Sequence, residues 1–136
     1  MTSIVSYQKF INSERTVEIV LPEDAETHQR IGSELATIDG TTYVSLPDGA
    51  VLPAQPEEIT VKPVELTPAL KLAIKDACPF VRMIRSMVAE KIAQRYSQSD
   101  EIKLLRTAPS AEFEAYNDYA ESCRAWGREQ KALLGL

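Results

Sequence analysis

The chain has 136 residues, 44% of them apolar and 26% charged, with a formal net charge of -5. That length supports one ordinary core with an appendage rather than two full domains, and the composition excludes wholesale disorder and a fibrous repeat. No run approaches the ~20 apolar residues needed to span a bilayer, and residues 1–11 hold one basic side chain and no apolar block, so no membrane association and no secretory signal are expected.

Charge is unevenly spread. Residues 1–66 carry 4 basic and 11 acidic side chains, residues 67–106 carry 8 and 4, and residues 107–136 carry 3 and 5. An acidic front therefore precedes a basic middle, a split that can steer a partner or keep the chain soluble. Cys78 and Cys123 stand far apart in helical-looking segments, which reads as two reduced thiols of a cytosolic protein rather than a disulfide framework.

In chain order, Ile4 to Ile11 suits a strand, and the alternation Thr16-Val17-Glu18-Ile19-Val20 predicts a short second one. Leu21-Pro22-Glu23-Asp24 carries the signals of a helix start: Pro fits the first turn, and acidic side chains suit the positive end of the dipole. His28, Ile31 and Leu35 would share a face of that helix, which Gly32 keeps short. Asp39-Gly40 is a two-residue hairpin turn by composition, pairing Leu35–Ile38 with Thr41–Val44. Thr42, Val44 and Leu46 then share one face, and Pro47-Asp48-Gly49 makes a further turn.

Proline crowds the next stretch. Residues 53–66 are expected as a Pro-rich linker or strap between a small α+β head over residues 1–52 and a helical domain over residues 67–136. Thr67-Pro68 supplies a cap and a first-turn proline, so a helix begins there and Pro79 ends or kinks it. Val81, Ile84, Val88, Ile92 and Tyr96 form one stripe of a second helix from about Phe80. A short helix over Asp100–Arg106 follows, Pro109 breaks it, and Ser110 caps a last helix that runs to Leu134 before Gly135. The whole reads as α+β, with a strand, hairpin and helix unit, a Pro-rich linker and a C-terminal helical hairpin or bundle.

The last helix carries the candidate binding residues. Tyr116, Tyr119, Cys123, Trp126, Gln130 and Leu133 step by three and four, and Phe113 adds a fourth aromatic within fourteen residues. Tyr and Trp offer rigid area with a polar handle, the composition favoured where proteins meet. Phe113, Tyr116, Tyr119, Cys123, Trp126 and Leu133 are thus candidate protein-binding residues, with packing on Val81, Ile84 and Val88 of the same chain as the other use of the seam. Gly127 in this helix points to a close approach of backbone.

Catalytic signals are missing. His28 is the single histidine and has no nucleophile motif beside it; the two cysteines and that histidine do not fall in the close pairs that zinc needs. The five glycines are too scattered to cradle a phosphate, so no metal and no cofactor are expected. Lys71, Lys75, Arg82, Arg85, Lys91 and Arg95 could meet nucleic acid, but Asp76 and Glu90 interrupt them and no aromatics interleave, so a solvated face or one docked on the acidic head is favoured.

The strand ending in Val17-Glu18-Ile19, the Leu21-Pro22-Glu23-Asp24 start, the Asp39-Gly40 hairpin, the run from Pro47-Asp48-Gly49 to Leu52-Pro53, the Pro63-Val64-Glu65-Leu66-Thr67 strap and the closing aromatic helix together resemble prophage tail-fibre assembly proteins. The resemblance implies a chaperone-like helper in the host cytoplasm that binds a phage fibre or tail protein and can stay on the virion. A homo-oligomer is a further expected association. Other readings are a structural tail or baseplate component, and a binder of a host factor or nucleic acid.

Overall fold

A computed structural model describes residues 2–136. Its class is α+β: a four-stranded antiparallel sheet and four helices, the last of them long. The chain divides into two compact units, Met1–Phe80 with Leu133–Leu136, and Val81–Ala132.

The first unit is built on strands β1 (Thr2–Tyr7), β2 (Ser33–Ile38), β3 (Thr41–Pro47) and β4 (Lys62–Val64), in the order β2-β3-β1-β4. The β2–β3 hairpin turns at Asp39 and Gly40, whose φ values of 50° and 79° are those the sequence signal predicts. β1 pairs with β3 from Thr2↔Pro47 to Tyr7↔Thr42, a register that puts Val5, Tyr7, Val44 and Leu46 into one core with Ile19 and Ile59. The other set of alternate residues includes Ile4, which the chain's Gly135 approaches; a Cβ on that glycine would stand 3.2 Å from Ile4 Cδ1. Helix α1 (Pro68–Ala77) lies against β2 and buries Ile74 completely. Thr67 caps it by accepting from the Leu70 N–H, with Pro68 in the first turn.

Three expectations for this unit are corrected. Residues 22–31 form no helix. Asp24 Oδ1 accepts from the N–H groups of Glu26 and Thr27 at 2.8 and 3.0 Å, and Ile31 N–H closes onto Pro22 O at 2.7 Å, so the same acidic residue that suggested a helix start closes a tight loop instead. His28 takes φ 58° within it and is exposed, and Leu35 belongs to β2. Residues 16–20 are not a strand but make one bridge, Phe10↔Thr16, and lay Ile19 into the core. The Pro-rich residues 53–66 contribute β4 and the buried Ile59, and the Gln55 side chain exchanges two 2.8 Å hydrogen bonds with the Val20 backbone in the manner of a strand partner. Pro63 is tolerated because β4 is an edge strand.

The second unit holds most of α2 (Pro79–Arg95), α3 (Gln98–Arg106) and most of α4 (Ala111–Leu133). Ile84 and Val88 approach Gly127, while Tyr96 meets Tyr116 and Tyr119, so α2 and α4 run antiparallel as a helical hairpin. Ser97 caps α3 in a capping box completed by Asp100, and Ser110 Oγ accepts from Phe113 N–H to start α4. α3 buries none of its side chains.

Candidate protein-binding surface

Helical spacing put six candidates on α4, and the structure divides them. Tyr116 and Cys123 are buried with Ile92 and Ala120, and Phe113 and Tyr119 pack half-buried on that cluster beside Tyr96, Val88 and Leu104. The ring of Tyr96 meets that of Tyr116 edge-on at 5.0 Å and 74°, a favoured aromatic geometry. Tyr116 OH donates to Glu101 Oε1 at 3.0 Å and Tyr119 OH to the Lys91 carbonyl at 2.9 Å. Burial, and then the Glu101 carboxylate, pushes the Tyr116 phenol above its ordinary value. These hydroxyls therefore latch α3 and α2 to α4, and the seam serves as the interior of the helical unit along most of its length. Trp126 is half-buried beneath Lys91, whose Nζ stands 3.7 Å from the ring centroid. Leu133 is apart from the others at the end of α4, 70% exposed.

Other apolar side chains of the unit remain at the surface. Met83 and Met87 are 53% and 38% exposed and stand one turn apart on α2, clear of its buried residues Val81, Ile84 and Ile92. On α3, Ile102 and Leu105 are exposed. Sequence reasoning looked for the ring-bearing stripe of α4 and passed over this pair; its signal was the Met-x-x-x-Met spacing on the polar side of the α2 stripe.

Two clefts mark the helical unit. One, of ≈ 470 Å³, lies among the end of α2, α3 and the start of α4, with Tyr96, Leu104 and Ala115 in its lining and mixed charges from Arg95, Lys103, Asp100 and Glu112. The other, of ≈ 280 Å³, lies between α2 and α4 at Gly127. A Cβ on Gly127 would stand 2.7 Å from Val88 Cγ2, so the glycine is what lets the helices approach there. Ile84 and Val88 line this cleft with Gly127, and its charged lining is Arg85, Arg124, Arg128 and Lys131.

In chemical terms, His28 is exposed on the 22–31 loop, and Cys78 and Cys123 are buried free thiols. Among the described residues no three His, Cys, Asp or Glu side chains gather as a metal site, and no helix is long and apolar enough to cross a membrane. Comparison of the chain with protein-family models, curated proteins and solved structures finds no match.

Proposed function

We propose that this protein is a non-catalytic binding protein whose helical unit grips another polypeptide. The observation that carries the reading is the Met83–Met87 pair, two long unbranched apolar side chains left at the surface of α2. Methionine suits a contact face that must adapt, because its flexible thioether conforms to varied shapes. The partner is a phage fibre or tail protein in the host cytoplasm, a proposal supported by the resemblance of the Asp39-Gly40 hairpin, the run from Pro47 to Thr67 and the closing aromatic helix to tail-fibre assembly proteins.

Co-expression with a phage fibre or tail protein tests this. The protein is expected to raise the soluble yield of that partner, and Met83→Glu with Met87→Glu is expected to remove the gain while circular dichroism keeps its helical signal. An unchanged yield with the parent protein overturns the reading. Mass spectrometry of purified particles separates a departing helper from a resident tail component.

A further inference from the structure

The cleft at Gly127 has an apolar floor and a wholly cationic rim, a combination that the folding of the unit does not require. Its floor is Ile84, Val88 and the bare backbone of Gly127. Arg85, Arg124, Arg128 and Lys131 surround it, and no carboxylate lines it. Of the four, Lys131 alone stands in the last turn of its helix, where the dipole favours a cation; the other three lie too far from a helix end for that to account for them. Glu121 shares its carboxylate between Arg128 at 2.6 Å and Arg124 at 3.9 Å, all three about half exposed or more, and such pairs exchange partners at little cost. Arg85 and Lys131 each keep an interaction within the protein. The lining itself is therefore positive, on a chain whose net charge is -5.

We propose that this cleft is a docking site for an acidic amphipathic helical segment of a partner protein. Such a segment sets apolar side chains of adjacent turns onto Ile84, Val88 and Gly127 and offers carboxylates on both flanks to the guanidinium groups, which bind them in bidentate fashion. Nucleic acid fits the site less well. A phosphate backbone gains nothing from an apolar floor, no aromatic side chain lines the cleft for a base to stack on, and the acidic chain as a whole repels a polyanion. The proposal rests on the reading of the helical unit as a binding unit, but it uses different side chains from the Met83–Met87 pair.

The test is calorimetric titration of the full chain with a synthetic peptide of about four helical turns, bearing Leu at i, i+3, i+4 and i+7 and Glu on the flanking positions. Binding is expected, and the Arg124→Glu with Arg128→Glu protein should bind at least about tenfold more weakly, since like charges then face each other. Lys103→Glu with Arg106→Glu, an equal charge change on α3, should leave affinity unchanged, and circular dichroism checks that each variant folds. Replacing Glu by Lys in the peptide should abolish binding, and replacing Leu by Ser should weaken it. The proposal is overturned by absence of binding to the parent peptide, by equal affinity of the charge-reversed protein or the Lys peptide, or by tighter binding of a single-stranded oligonucleotide than of the peptide. Failure here with a persisting Met83 and Met87 effect on fibre solubility removes the cleft alone; loss of that effect with the peptide titration intact removes the fibre reading and leaves the cleft.

Discussion

The sheet unit and the helical unit of this chain bury themselves by different means. In the first, strands and irregular segments distant in sequence converge on an aliphatic core, Val5, Val44, Leu46, Ile19 and Ile59, with Tyr7 as its one ring. In the second, a smaller cluster of Ile92, Tyr116, Ala120 and Cys123 is edged by aromatics whose hydroxyls reach out to a backbone carbonyl and a carboxylate. A unit of that size cannot exclude water from much of its surface, so caps and polar latches take a larger share of holding it together. Its surface accordingly keeps apolar side chains such as Met83, Met87, Ile102 and Leu105 exposed.

Substitutions can break that contrast. The largest effect is expected in the sheet unit: Leu35, 1% exposed on β2, should cost about 3 kcal/mol as Leu35→Ala, measured by urea unfolding, because a cavity opens in a core that cannot collapse onto it. Next is Gly127→Ala in the helical unit. Ala favours a helix over Gly by about 1 kcal/mol, but its Cβ would meet Val88 Cγ2, a β-branched side chain with little rotamer freedom in a helix, so a net loss of about 1 kcal/mol is expected. In a Val88→Ala background the same change should turn stabilising, a double-mutant cycle that isolates the contact.

One substitution sharpens the comparison by changing sign between the units. The Tyr7 hydroxyl is buried and makes no hydrogen bond of good geometry; burial pushes its pKa up, and the nearby Ile19 backbone offsets that only in part. Tyr7→Phe should therefore stabilise by up to about 1 kcal/mol, whereas Tyr116→Phe, which forfeits the bond to Glu101, should cost about 1 kcal/mol. Thermal melts of the two variants settle the signs.

The smallest effect is a pH response. The Asp100 carboxylate accepts the Ser97 N–H at 3.0 Å, and that bond holds its pKa below the ordinary aspartate value. A folded value below the unfolded one stabilises above the unfolded pKa and is lost as pH falls through the folded one. Acidification below the usual aspartate range should thus fray the start of α3, seen as lost helical circular dichroism, and Asp100→Asn should flatten that response. Asp24 is depressed too, by the Thr27 and then the Glu26 N–H, but its loop has no helix to lose and contributes nothing to that signal.

Much of the helical half was legible because its boundaries are set locally. Thr67-Pro68, Pro109-Ser110 and the stripe from Val81 to Tyr96 need no distant partner to state their role, and α3 differs from expectation by starting at Gln98 behind the Ser97 cap. The sheet half was legible where a turn is encoded in two residues, as at Asp39-Gly40, and illegible where pairing is non-local. Nothing near Pro63 announces that it will lie beside Val5, and nothing near Ile19 announces a core position without a strand. Asp24 misled because the same side chain can start a helix or close a loop, and Gly32, with φ 107° and the Ser45 carbonyl 2.8 Å from where a Cβ would sit, decides for the loop. Helical spacing puts the candidate residues on one stripe of α4, yet spacing alone tells neither which neighbour covers that stripe nor that Leu133 stays exposed at its end. The Gly127 cleft required two helices to be seen together.

Trp126, the single tryptophan of the chain, sits in the helical unit under the ammonium of Lys91. Indole emission therefore comes from that unit alone, and a cation against the ring makes its colour and quenching sensitive to any shift between α2 and α4. The protein carries a native lamp in its helical unit and leaves the sheet dark, so ligand titration and local melting of the hairpin can be followed without a label.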